Sequence, residues 1–281
     1  MNSNIRRRGV VAAVTALVTV AVLAGCASGG STTHASSSAN ANAYNLITPG
    51  ELRVAVTGAS KPFVYLDASG SKWIGFEPDL VNYAAKVAGI KKVVFVEQDF
   101  SSLLADVAAR KYDIGAASIG YSAEREQTVD FSSGYFKGYL YFIAKPSAGI
   151  SAVGDLDGKR VGVVTGTVEE TYLKTKTPKA QVVDFPDNNT AVQSLLSGTV
   201  DTVFLDGGVA GDYTKQYPQL TDALKVPGDG YSAWPISKED TALRLALNKG
   251  IAKAISTGYL EKLYKKWLPG TPVFPEYLPK K

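Results

Sequence analysis

The 281-residue chain holds one cysteine, one histidine and one methionine. A lone cysteine cannot close a disulfide within the chain, so the fold must be held by its core alone. The only histidine, His34, lies in a low-complexity stretch near the start. That placement argues against histidine-based acid–base catalysis, and no Cys/His cluster suggests a metal site. Charge excess is also lacking. The formal net charge of +4 comes from 30 basic and 26 acidic residues, and three of the arginines are Arg6, Arg7 and Arg8. Without residues 1–25, which carry no acid, 27 basic residues face 26 acidic ones. No run of Lys and Arg with interleaved aromatics appears, so nucleic acid is not an expected partner.

What is present begins with those arginines. An uncharged, mostly apolar run follows over residues 9–23, and then Leu23-Ala24-Gly25-Cys26. The run is shorter than the roughly 20 residues a membrane-spanning helix needs. A basic head, a short apolar stretch and small residues at the cut read as a secretory signal peptide over 1–25. The small residues admit a peptidase, and the Cys26 thiol is the nucleophile that would take up a diacylglycerol. This pattern resembles the bacterial lipobox. It predicts a mature chain held on the extracytoplasmic face of the cell membrane by lipid on Cys26. An ordinary signal peptide and an uncut signal anchor are the plainer alternatives. Residues 26–44 are rich in Ser, Ala and Asn, with almost no charge or large apolar residue. They cannot offset the entropy of ordering, and read as a flexible tether.

The folded part, from about residue 45, alternates strand and helix signals. Strands are expected at 52–56, 93–96 and 114–117, with helices at 78–87 and 101–110 between them. Leu80, Val81, Ala84 and Val87 have helical spacing, and Gly89 supplies the stop. The rhythm then restarts, with strands at 159–164, 181–185 and 200–204 and helices at 168–173 and 190–196. Two α/β lobes with parallel sheets are the simplest reading. Residues 139–144 and 231–236 are expected to cross between lobes as hinge strands. The division is then lobe one at 45–140 and 235–281, and lobe two at 141–234. The closing helices, 240–267, should pack on lobe one, with Tyr259, Leu260, Leu263, Tyr264 and Trp267 as a core stripe.

Two lobes joined by two strands leave a cleft, and in open α/β sheets ligands bind beyond the carboxyl ends of the strands. Three segments offer chemistry there. Arg125, at the start of a short helix, can grip a carboxylate with two parallel hydrogen bonds. The turn Thr165-Gly166-Thr167-Val168 precedes a helix whose free N–H groups suit an anion. Its Glu169 and Glu170 read as surface acids favoured by the helix dipole. Asp206, ending its strand, can face the cleft and hold an ammonium group, while Asp201 at the other end should be structural. Taken singly, each has a plainer reading: a surface arginine, a helix cap, a turn residue. The turn lacks the Gly-Lys-Ser/Thr ending of a phosphate loop, and no cofactor is expected.

In order and spacing these segments resemble the solute-binding proteins of ABC importers, in particular the polar amino acid-binding family 3. The resemblance spans about residues 52–267. It is carried by Gly75-Phe76-Glu77-Pro78-Asp79-Leu80, Gly115 to Arg125, Val129-Asp130-Phe131-Ser132, Gly166-Thr167 with Glu170, and Asp201 to Asp206. It implies a two-lobe, type II periplasmic-binding-protein-like fold, a monomer, and an amino acid delivered to permease and ATPase subunits. It further implies that Arg125 binds the ligand carboxylate and Asp206 the ammonium. The Thr167-Val168 turn would supply N–H groups, and Ser118 a backbone carbonyl. Phe63 would lie on a loop lining the cleft, and Glu77 and Asp79 would be structural.

The chain departs from the family pattern at three places. Gly120 and Val168 stand where hydroxyl residues are usual, and Ser60 where an aromatic is common. Tyr121 and Trp234 are candidates to fill the space. These departures bear on which ligand is bound. The same cleft also suits a ligand-sensing lipoprotein, or a lyase using a cleft carboxylate, although nothing in the sequence marks a catalytic residue.

Overall fold

A computed structural model describes residues 43–228, 230–271 and 273. The signal segment, Cys26 and nearly all of the tether lie outside the described residues. Among the described residues thirteen strands and eight α-helices follow in chain order. The first stretch is β1 (Glu51–Val56), β2 (Ala59–Ser60), β3 (Val64–Leu66), β4 (Trp73–Ile74), α1 (Phe76–Val87), β5 (Lys92–Glu97), α2 (Phe100–Ala108), β6 (Ile114–Gly115), α3 (Ala123–Glu126) and β7 (Asp130–Phe131). Then come β8 (Tyr139–Ala144), β9 (Arg160–Val164), α4 (Val168–Lys176), β10 (Gln181–Phe185), α5 (Asn188–Ser197), β11 (Thr202–Asp206), α6 (Gly207–Gln216) and β12 (Thr221–Pro227). The chain closes with β13 (Pro235–Ile236), α7 (Thr241–Ser256) and α8 (Tyr259–Trp267).

Two five-stranded sheets result. The first has the order β5-β1-β6-β13-β7 and the second β10-β9-β11-β8-β12. In each, the first three strands are parallel and arise from a strand-helix-strand-helix-strand run. In each, the fourth strand is antiparallel and comes from a connecting segment: β13 for the first sheet, β8 for the second. The two connections are thus built into the sheets. A separate three-stranded sheet, β2-β3-β4, covers one end of the first lobe.

The parallel strands form where the sequence has near-continuous apolar runs, as expected of strands covered on both faces. Val54, Ala55 and Val56 of β1, and Val161 and Val163 of β9, are fully buried. Helix α1 buries Leu80, Val81, Ala84 and Ala85, and α7 lies against it through Leu243, Leu247, Ile251 and Ala254. Each leucine, isoleucine and valine among them contributes roughly 1.5–3 kcal/mol when buried. Gly250 in mid-helix is explained by that contact, since a Cβ there would sit 2.5 Å from the Ala84 Cα. In the closing stripe Leu260, Leu263 and Tyr264 are buried, Tyr259 stacks on Tyr83, and the Trp267 indole donates to Asp79.

Several expected boundaries move. The strand expected at 114–117 stops at Gly115, because the chain turns away at Ser118, whose φ is +51°. The strand expected at 200–204 runs from Thr202 to Asp206. Asp201, just before it, takes the Arg160 guanidinium at 2.7 Å and accepts the Arg160 N–H, a structural role. Strands β2, β3, β4, β7 and β12 were not expected: four of them are two or three residues long, and β12 is an edge strand with a register shift. Among the described residues no helix is long and apolar enough to cross a membrane.

One buried acid couples this scaffold to the cleft. Glu77, in the first turn of α1, is fully buried. Its carboxylate accepts the Ser118 N–H at 2.8 Å and a short bond from the Tyr135 hydroxyl. A left-handed backbone at a residue with a Cβ costs about 1–2 kcal/mol. The Glu77 bond therefore holds Ser118 in a conformation it would not choose. Burial raises the Glu77 carboxyl from the ordinary 4.5 to about 7, against the lowering effect of the Tyr135 and Ser118 bonds. Below pH 4.5 the group is protonated in both folded and unfolded chains. Between 4.5 and 7 the unfolded chain releases a proton that the folded chain keeps, so stability falls as pH rises. At about 1.4 kcal/mol per pH unit the loss is on the order of 3 kcal/mol. Glu77→Gln keeps an acceptor for Ser118 and removes the titration. Urea unfolding of ligand-free protein across this window should show wild type losing about 3 kcal/mol more than the variant. Parallel profiles would mean that Glu77 does not titrate there.

Candidate functional site

Between the lobes lies a cavity of about 590 Å³, within the usual range for a small-molecule site. Its walls come from the carboxyl ends of the parallel strands, among them Thr57 and Ser60 after β1, Ser118 and Gly120 after β6, Gly166 and Thr167 after β9, and Asp206 closing β11.

Arg125 is the third residue of α3, a short helix capped by the Ser122 hydroxyl. Its guanidinium donates from Nη1 to the Gly120 carbonyl at 2.6 Å and from Nη2 to the Gly166 carbonyl at 2.8 Å. These acceptors belong to different lobes, so one side chain spans the cleft. The Phe100 ring lies under the guanidinium at 5.7 Å. Burial lowers the Arg125 pKa, opposed by the carboxylates of Glu169, Asp206 and Glu124.

Asp206 stands at the N-cap position of α6, yet its side chain makes no capping bond. This sets it apart from Thr167 and Asp187, which cap α4 and α5. Its carboxylate lines the cavity, close to the Ser118 side chain of the other lobe. Burial pushes the Asp206 carboxyl well above its ordinary 3.8, and the nearby charges of Glu169 and Glu77 push it further. The Ser118 hydroxyl and the Arg125 charge act the other way.

The start of α4 differs from expectation. The Thr167 hydroxyl donates to the Val164 carbonyl at 2.7 Å and accepts from the Glu170 N–H at 3.2 Å, and the Thr167 N–H reaches the Val164 carbonyl at 3.4 Å. Glu170 accepts the Gly166 N–H at 2.5 Å and pairs with Lys174. Burial raises the Glu169 carboxyl above its ordinary value, opposed by its own backbone N–H and by the Arg125 charge. Two donors at this helix start, the Gly166 and Glu170 N–H groups, are thus taken by the helix's own side chains. Glu169 and Glu170 are therefore not surface acids: they are 5% and 8% exposed, and both line the cavity. The signal was available. Thr167-x-x-Glu170 is a capping pattern, and once Glu170 is assigned to it, Glu169 must point elsewhere on the helix, here toward the cleft.

Phe63 is corrected as well. It is fully buried and does not line the cavity. Its ring packs edge-on against Phe76 and Phe136 and lies close to Gly208 of α6. An aromatic ring in a loop beside a fully formed core is drawn into it by the area it buries. Trp234 is likewise core, tilted on Tyr135 at 5.2 Å. Tyr121 does line the cavity. It stacks on Tyr231 at 5.1 Å and donates to Glu126 at 2.6 Å. Tyr231 and Phe100 are wall residues that the sequence reading missed, although Phe100 lies just past the carboxyl end of β5, where such residues are to be sought.

Gly120 and Val168 meet each other. A Cβ on Gly120 would lie 3.2 Å from Val168 Cγ1 and 3.7 Å from Arg125 Nη1. The two positions that lack expected hydroxyls thus form one apolar contact between the lobes. Among the described residues no group of His, Cys, Asp and Glu is placed to hold a metal ion.

Known proteins resemble this chain in sequence and fold. Residues 52–270 match the family model of the bacterial extracellular solute-binding proteins, family 3. A probable histidine-binding protein of Campylobacter jejuni is 32% identical over 220 residues, covering 77% of this chain and 84% of the relative. ABC transporter arginine-binding protein 1 of Escherichia coli is 28% identical, covering 78% and 91%. The solved structure of an ancestral arginine-binding protein bound to arginine superposes with a TM-score of 0.74 at 32% identity, covering 78% of this chain and 98% of that one. With its family pattern matched over most of its length, and with two lobes closing on a charged cavity, the chain belongs to the bacterial extracellular solute-binding proteins, family 3.

Proposed function

We propose that this protein captures an α-amino acid in the cleft between its lobes and delivers it to the permease and ATPase subunits of an ABC importer. The observation that carries this reading is the meeting, on one small cavity, of Arg125 from lobe one and Asp206 from lobe two. Arg125 takes the α-carboxylate with N–H groups not given to Gly120 and Gly166, with Val168 and Gly120 forming the wall beside it. Asp206, helped by Ser118, takes the α-ammonium. Lobe one comprises residues 45–140 and 235–281, and lobe two residues 141–234. Relatives named for binding histidine and arginine support an amino acid as cargo. The protein works as a monomeric binding protein and leaves its ligand chemically unchanged. It is anchored outside the cytoplasm by lipid on Cys26.

A ligand touching both lobes favours the closed arrangement, in which Arg125 already reaches Gly166 and Asn188 Nδ2 donates to the Ala59 carbonyl at 3.0 Å. Calorimetry with the proteinogenic amino acids should find at least one that binds and is recovered unaltered. Asp206→Ala should weaken it at least ~30-fold, since truncating one partner of a desolvated pair costs about 2–5 kcal/mol. Small-angle scattering should show wild type compacting on ligand addition and Arg125→Lys failing to compact at the same concentration, because a point ammonium cannot replace a two-pronged grip. Full compaction of that variant would place the carboxylate elsewhere. For the anchor, Cys26→Ala should move the protein from the membrane fraction to the soluble one. Retention on membranes in high salt would rule out the lipid.

A further inference from the structure

The cavity carries one more acid than an amino acid's backbone can use. A zwitterionic backbone brings one negative and one positive charge, and these match Arg125 and Asp206. Glu169 then remains. It is 5% exposed, lines the same cavity, and is near enough to Arg125 and Asp206 for each to feel its charge. Among the described residues no lysine or arginine lies within ion-pair distance of it, while its neighbour Glu170 has Lys174. The other charged wall residues do not balance it. Asp187 caps α5, Glu124 and Lys176 are exposed, and Lys137 is half-exposed.

In the empty cleft Arg125 offsets the Glu169 charge. Once a ligand carboxylate occupies Arg125, Glu169 is left without a counter-charge of its own, and a buried carboxylate in that position is costly when ionised. Closing the lobes on a ligand with a neutral side chain leaves that cost in place. A ligand whose side chain ends in a cation removes it. There is room for such a side chain, because the lobe-one wall has the small Ser60, which lines the cavity beside Thr57. We propose that Glu169 is a specificity-determining residue that selects amino acids with a positively charged side chain. The proposal rests on the reading that Arg125 and Asp206 hold the backbone charges.

Two neutral partners of similar shape make the test direct: L-citrulline for L-arginine and L-norleucine for L-lysine. In calorimetry wild type should bind at least one of the cationic ligands ~30-fold or more tighter than its neutral partner. Glu169→Gln should bring that ratio within about threefold, chiefly by losing affinity for the cation. If Glu169 only positions Arg125, the variant will lose cationic and neutral ligands equally, and the proposal is overturned. It is also overturned if wild type shows no preference for charge, or binds neither cation. The wider panel then separates the two readings. Binding of some neutral or acidic amino acid leaves the amino acid reading standing and removes only the role given to Glu169. Binding of none removes both.

Discussion

A single guanidinium, half-buried between two lobes, sets the terms for the rest of this molecule. Arg125 donates to a carbonyl on each side of the cleft, Gly120 in one lobe and Gly166 in the other. Its charge cannot be left uncompensated in such a place. The carboxylates of Glu169 and Asp206 surround it, and their own burial drives their affinity for protons upward. The cleft is thus a cluster in which each charge is tolerable because of the others. A ligand enters it by completing the balance, and closure of the lobes strengthens every term by excluding water.

The scaffold delivers these groups by one device used twice. In both sheets the parallel strands run toward the cleft, and each strand releases its chain there in a turn that displays backbone and side-chain polar groups. The antiparallel fourth strand of each sheet is part of a connection between lobes. Any rotation of the lobes must therefore be absorbed near the ends of β8 and β13. Beneath the floor on one side, Glu77 reaches from α1 to fix the Ser118 turn, so that the packing of α1 against α7 and α8 is felt at the cleft.

Periodicity made the long elements legible. Helix α1 and strands β1 and β9 follow from apolar spacing and from their stop signals, and the alternation of strand and helix gave the two-lobe architecture. Strands of two or three residues carry no period, so β2, β3, β4 and β7 could not be read. The charged site was half legible. Arg125 and Asp206 stand out because each occupies a strand end or helix start with no structural partner in sequence. Glu169 was hidden by its neighbour: two adjacent acids at a helix start look like one dipole effect, although only Glu170 serves the cap. Phe63 and Trp234 went the other way. An aromatic beside a cleft in sequence belongs to whichever surface buries more of it, and here that was the core.

The departures from the family pattern make better sense together than apart. A hydroxyl side chain at position 120 would press its Cβ to within 3.2 Å of Val168 and 3.7 Å of the Arg125 guanidinium. With glycine there, Val168 fits against the opposite lobe. The wall beside Arg125 becomes apolar, and a site that loses two hydroxyl donors loses competitors for the same carboxylate as well. Lower polarity next to a guanidinium strengthens its field. It also raises the cost of every unmatched charge in the cavity, and Glu169 lies one residue beyond Val168 on the same helix. The apolar wall and the buried acid therefore act in one direction. Both make the cleft depend less on hydrogen-bond count and more on the charge its ligand brings.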